Sequence, residues 1–153
     1  MNDAPSLSPE LSRQVAKIEP SQPWPGVLLY PCAVRTKGGV TLPRVYFAEP
    51  SIVGNRSSIS VDDVAAIFES EDRLPARFAN CLYQAGETGM GMMAFQVVFP
   101  FGLKFRYLTG NFVDFLQFPP LLGPAQVRDV LPGGRRTLRA RGPRPAGWCF
   151  FTR

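Results

Sequence analysis

The chain has no histidine. That absence removes Ser-His-Asp and Cys-His nucleophilic catalysis, histidine-ligated zinc and the usual proton shuttle near neutral pH. Cysteine is scarce too: Cys32, Cys81 and Cys149 are three thiols at wide spacing, with no CxxC pair. An odd, scattered set fits a reducing compartment rather than a disulfide framework, and no metal or cofactor is expected. Long apolar runs are missing as well. The longest, Met90 to Leu103, is broken by Gly91, Gln96, Pro100 and Gly102 and falls short of the roughly 20 residues of a spanning helix, so neither a membrane span nor a membrane partner is expected. The start, Met1-Asn-Asp-Ala-Pro-Ser, carries neither the basic nor the apolar region of a secretory signal, and a cytoplasmic location is expected.

Acid is missing from one end. Residues 128–153 hold seven Arg against Asp129 alone, a balance of +6, whereas residues 1–127 stand at −1 within the whole-chain +5. The basic character therefore belongs to a segment and not to the chain at large.

What is present points to a small folded domain. Apolar residues make up 45%, with 12 Phe, 4 Tyr and 2 Trp, while 16 Pro and 14 Gly argue against a helical bundle. The composition leaves an α+β or mostly β domain, and the elements along the chain predict an α+β fold: a small twisted antiparallel sheet of four or five strands, curled towards a barrel at most, with one main helix packed on it. Three regions are expected, namely a flexible arm over 1–25, a single domain over 26–132 and an Arg/Gly/Pro-rich flexible tail over 133–153. The arm has room for a short helix around Ser8–Ile18 between its prolines.

Val27–Thr36 and Val40–Ala48 read as strands joined by Lys37-Gly38-Gly39, with Pro31 and Pro43 predicting edges or bulges. Ile59–Glu69 carries both a capping pattern, Ser60 with Asp63, and an alternation over Ile59, Val61, Ala65 and Ile67; a strand is favoured over a helix. Pro75–Ala85 is the clearest helix, with Leu74, Phe78, Cys81, Leu82 and Ala85 as its buried stripe and Gly86 as its C-cap. Met92–Phe99 and Leu103–Thr109 form a second hairpin about Pro100-Phe101-Gly102. Short helical pieces are expected in Asn111–Phe118 and Pro124–Leu131. The aromatics between Phe95 and Phe118 fall at odd positions on the strands, which places them on a core-facing side; the rival reading is a base-stacking platform.

Candidate sites are few. Gly86–Gly91 is glycine-rich but follows a helix and leads into a strand, the reverse of a phosphate-binding loop. Thr109-Gly110-Asn111 closes the return strand near that loop, which makes Glu87, Thr88, Gly89, Gly91, Asn111 and Asp114 a candidate ligand pocket. Glu87 and Asp114 would be the pair for any carboxylate-dependent chemistry. Asp62, Asp63, Glu69, Glu71 and Asp72 read as solvated surface. In the tail, Arg135, Arg136, Arg139, Arg141 and Arg144 can bind nucleic acid through phosphates or grip an acidic partner; Arg, Gly and Pro are also abundant in GC-rich coding. A homo-oligomer is a further expectation, from sheet edges and surplus aromatics. The resulting expectation is a small binding or interaction module without catalysis and without cofactors, with a nucleic-acid-associated protein as the alternative and a carboxylate enzyme as the third reading.

Overall fold

The computed structural model describes residues 5–50, 58–134 and 139–152. Among them are two α-helices, α1 (Pro9–Ala16) and α2 (Ala76–Ala85), and eight strands: β1 (Ser21–Trp24), β2 (Val27–Thr36), β3 (Thr41–Ala48), β4 (Val64–Phe68), β5 (Met93–Val98), β6 (Lys104–Thr109), β7 (Asp129–Pro132) and β8 (Gly147–Phe150). The fold is α+β, and its sheets are not closed into a barrel. The chain divides into two compact units, one made of 1–71 with 145–153 and the other of 72–144.

The first unit is built on β2, its longest strand. β3 runs antiparallel along one edge; β1 and β4 share the other, β1 beside Leu29 and β4 beside Ala33–Thr36. The Lys37-Gly38-Gly39 turn closes as expected, with Gly39 N–H donating to Thr36 O at 2.9 Å and Thr36 N–H to Val40 O at 2.8 Å. β2 is a central strand despite Pro31. The ladder shifts register between Cys32 and Val34, opposite Leu42–Val45, so Pro43 sits where the pairing is already interrupted.

α1 starts where the sequence signals it: Pro9 stands first, and Ser8 Oγ accepts from Leu11 N–H at 3.2 Å. Its apolar side turns Leu11 and Val15 into the core, and Gln14 Oε1 accepts from Ile67 N–H of β4 at 2.7 Å. Both readings of 59–69 are partly realised. Ser60 caps a 3-10 turn over Val61–Asp63, and the strand follows at Val64–Phe68. The buried residues there are Val61, Val64 and Ile67, not the alternating set, because the ladder to β2 is irregular between Arg35 and Thr36.

β8 is the main departure from the expected tail. It pairs parallel with β3, Val45–Ala48 against Gly147–Phe150. Trp148 stacks on Tyr46 at 4.6 Å, and Phe151 meets Phe47 and Tyr30 at 6.1 and 6.3 Å. Gly147 admits this approach: a Cβ there would lie 2.6 Å from Ile59 Cδ1. Both ends thus contribute secondary structure. Leu11, Val15, Cys149 and Phe151 join Cys32, Val34, Val45 and Phe47 in one buried cluster, because a sheet this small cannot bury its faces without them.

The second unit is a three-stranded antiparallel sheet in the order β6-β5-β7, with α2 packed against β7. The expected β5–β6 hairpin forms, with Phe95 opposite Tyr107 and Val97 opposite Phe105. Its inward rings are core: Phe95, Phe99 and Tyr107 are buried, with Leu74, Phe78, Leu82 and Val130 in the same cluster. α2 is capped by Gly86 at φ +81. Its buried residues are Ala76, Phe78, Ala79, Leu82 and Tyr83, and Cys81 is exposed. At 100° per residue, Cys81 lies about 130° from the middle of the stripe formed by 78, 79, 82 and 83.

Two expected helical pieces take other forms. Residues 113–117 are irregular, with a bend at Asp114 and then Phe115 bridged to Arg73 and Leu116 to Pro143. Pro124–Gln126 is one 3-10 turn, and Asp129–Pro132 becomes β7 against Phe95–Val98.

Candidate functional site

The glycine-rich loop is held by Thr88. Its N–H donates to Met92 O at 2.9 Å, its Oγ1 accepts from Ala94 N–H at 2.9 Å, and Met92 N–H returns to Gly89 O at 3.0 Å. These bonds shape a turn between α2 and β5, so Thr88 and Gly89 are turn-forming residues. Gly91, at φ +73, lies between two side chains: its missing Cβ would stand 3.8 Å from Asn111 Oδ1 and 3.9 Å from Glu87 Oε2. The structure therefore brings Glu87, Gly91 and Asn111 together in the exposed loop region.

Asp114 takes a different position. It is 0% exposed, and Oδ2 accepts the Tyr83 hydroxyl at 2.5 Å while the Tyr83 oxygen accepts Val113 N–H at 3.1 Å. Leu74 N–H donates to Asp114 O at 2.7 Å. This network ties the irregular 113–116 segment to α2. Glu87 and Asn111 offer an exposed carboxylate and amide, too few oxygen ligands for a hard cation that takes six to eight. Among the described residues no group of three or more His, Cys, Asp or Glu converges.

The arginines divide. Arg135 and Arg136 lie outside the described residues, and Arg139 is exposed. Residues 141–144 form a strip built into the second unit. Arg141 donates its N–H to Arg106 O at 3.0 Å and accepts from Leu108 N–H at 2.9 Å, and its guanidinium stands 5.5 Å from the Phe105 ring centre. Arg144 donates its N–H to Phe115 O at 2.8 Å, and its guanidinium lies 3.6 Å from Asp72 Oδ2. The strip runs beside β6, whose far edge would otherwise be unpaired.

No known protein family, no curated protein and no solved structure matches this chain.

Grooves are lined by described residues of the first unit. One of 540 Å³ is lined mainly by Leu7, Val15, Ile18, Tyr30 and Phe151, and one of 360 Å³ by Leu42, Pro43, Ile59, Pro145 and Gly147. No helix among the described residues is long and apolar enough to cross a membrane.

The second unit shows residues that composition along the chain passed over. Lys104, Arg106 and Arg128 are exposed on it. At the turn joining β5 to β6, Phe101 is fully exposed rather than in the core, and Leu121 in the 119–123 loop is fully exposed too. A local signal existed for Phe101. It sits inside a Pro-Phe-Gly turn, between two residues that set the backbone and leave the middle side chain outside the ladder.

Proposed function

We propose that this protein is a cytoplasmic, non-catalytic binding module whose ligand is anionic and is met by the 72–144 unit. The observation that carries this reading is how charge is divided between the two units. Residues 72–144 hold ten Lys/Arg against four Asp/Glu, a balance of +6, while the rest of the chain stands at −1. Two of the four acids are engaged within the unit, Asp114 with Tyr83 and Asp72 with Arg144. Lys104, Arg106 and Arg128 stay in solvent, so the unit attracts anions and loses that attraction as salt rises.

The Glu87–Asn111 loop supports a hydrogen-bonding role better than an acid/base one, since Asp114 is buried against Tyr83 rather than paired with Glu87 in solvent. A nucleic-acid ligand engaged by base stacking on the sheet has less support, because Phe95, Phe99 and Tyr107 are buried.

Retention on immobilised heparin, a generic polyanion, tests the reading. The full chain is expected to bind at low salt and elute as salt rises, and the triple reversal Lys104→Glu, Arg106→Glu, Arg128→Glu is expected to elute markedly earlier. Flow-through at low salt, or an unchanged profile in the triple variant, would remove the proposal.

A further inference from the structure

We infer that the Phe99 end of the three-stranded sheet docks on an anionic lipid bilayer surface, with Phe101, Leu103 and Leu121 entering the headgroup boundary and Lys104, Arg106 and Arg128 meeting lipid phosphates. The inference rests on the anionic-ligand reading and names its ligand class.

Two unfavourable features coincide on the same residues. The described non-glycine residues with positive φ are Met90, Phe101 and Leu121, at 51°, 63° and 65°. They are also the most exposed large apolar residues, Met90 at 91% and the other two fully exposed. A glycine would relieve the left-handed backbone, and Asn or Asp would suit both backbone and water. Instead these turns hold bulky apolar side chains out in solvent. Where strain of this kind falls beside further exposed apolar and cationic side chains, as at Phe101 and Leu121, it marks a place where the side chain itself is needed.

Phe101 and Leu121 belong to the same end of the sheet. Phe101 sits in the turn after Phe99. The loop carrying Leu121 follows Phe118, whose ring meets Phe99 edge-on at 6.1 Å, and returns at Arg128, whose N–H donates to Val98 O at 2.7 Å. Leu103 beside the turn is 52% exposed. Met90 precedes β5, at its opposite end, and is not part of the surface. The cations at this end are Lys104, opposite Val98, and Arg128; Arg106 follows two residues along β6 on the same face. The acid among them is Asp129, whose Oδ1 accepts Val130 N–H at 2.8 Å.

The chemistry selects the occupant. Leu103 and Leu121 have no π face to stack on a base, so a nucleic acid would use one of these three side chains. Exposed apolar side chains at the turns suit a medium that takes aliphatic and aromatic groups alike while its phosphates meet flanking cations, which describes an anionic bilayer surface. The sequence expectation of no membrane partner rested on the missing span, and a surface contact needs none.

The test is co-sedimentation of the full chain with vesicles of phosphatidylcholine alone and of phosphatidylcholine with phosphatidylserine, run beside heparin retention. The wild type is expected to pellet with the phosphatidylserine vesicles at low salt and not with phosphatidylcholine alone. The double variant Phe101→Gly, Leu121→Gly is expected to lose at least ~tenfold in vesicle partition with heparin retention unchanged. It relieves two positive-φ positions, so its thermal midpoint is expected at or above wild type, which separates loss of binding from loss of folding. Phe101→Trp is expected to shift its emission to the blue on the same vesicles. Equal vesicle partition by wild type and the double glycine variant overturns the inference, as does heparin retention without vesicle binding, or tighter glycine-sensitive binding to single-stranded RNA. Absence of heparin retention in the wild type overturns the anionic-ligand reading itself.

Discussion

Burial pushes the Cys149 thiol up from 9.0 to about 12, and the Tyr107 phenol up from 10.0 to about 12 against the opposing pull of the Arg141 guanidinium. Both groups are neutral when protonated, and both hold the proton more tightly when folded. The stability they contribute is therefore fully present below pH 9 and is lost as pH rises from there towards 12. Thermal midpoints measured from pH 7 upward are expected to fall in that alkaline window, with a shallower fall in Cys149→Ala and in Tyr107→Phe. The second variant also loses the hydroxyl that donates to Gln117 O at 3.0 Å, so about 1 kcal/mol of stability at neutral pH should go with it. An alkaline slope unchanged in both variants would refute the assignment. At this scale the sequence was legible only where one geometric rule decides. Asn111 falls beside Gly91 because the return strand of a short hairpin ends there, whereas Asp114 lies in an irregular stretch whose partner, Tyr83, no local pattern announces.

Elements made of neighbours in sequence were the readable ones. α1, α2 and the β2–β3 and β5–β6 hairpins carry their own caps, turns and periodicities, and their observed limits fall close to the expected ones. β8 was not readable, since its four residues pair with β3 about a hundred positions away, in parallel, after an Arg/Gly/Pro-rich stretch that argues for disorder. β7 replaces the end of the helical piece expected in Pro124–Leu131 for the same reason: its strand character comes from the open edge of β5. The consequence of β8 is measurable. Ending the chain after Arg144 removes Trp148, Cys149 and Phe151 from the core of the first unit. Burial of side chains of this size is worth about 1.5–3 kcal/mol each, against a typical domain stability of about 5–15 kcal/mol. The shortened chain is expected to lose the near-ultraviolet circular dichroism of Trp24 and the tyrosines of the first sheet and to be cut rapidly by protease between residues 5 and 50. A shortened chain with the wild-type melting profile would show that β8 does not belong to the sheet. Gly147→Ala is the milder version, expected to cost about 1 kcal/mol because its Cβ would meet only the end of the Ile59 side chain, which can turn aside.

For the whole molecule, the positions where the chain passes from one unit to the other matter most. It leaves the first unit after Glu71 and re-enters it at Pro145, so 72–144 is an insertion. Within the inserted unit the two ends are held together: Asp72 pairs with Arg144, and Arg73 and Pro143 bridge to the neighbouring residues Phe115 and Leu116. On the other side of the boundary, Ser70 Oγ donates to Pro43 O at 2.5 Å and Arg44 Nε donates to Pro145 O at 3.0 Å, so those ends are anchored at adjacent residues. Each unit has its own buried cluster. Inserted domains are tolerated where the two ends of the insert lie close together, and the basic charge that composition assigned to a tail becomes a property of the insert. Fragment 72–144 is therefore expected to fold alone. Units of this size are marginal in stability, since a domain of about 60 residues buries only about 60% of the surface its unfolded chain exposes, so its midpoint should lie below that of the full chain. Residues 5–71 joined to 145–152 by a short Gly/Ser linker should fold as well, because Ser70 and Pro145 are each bonded to one of two adjacent residues of β3. Cooperative thermal unfolding of the fragment, with dispersed amide resonances, is the measurement. A fragment that melts without a transition, set against a full chain that unfolds in one step, would mean that the two clusters form a single cooperative core and that 72–144 is not an independent insert.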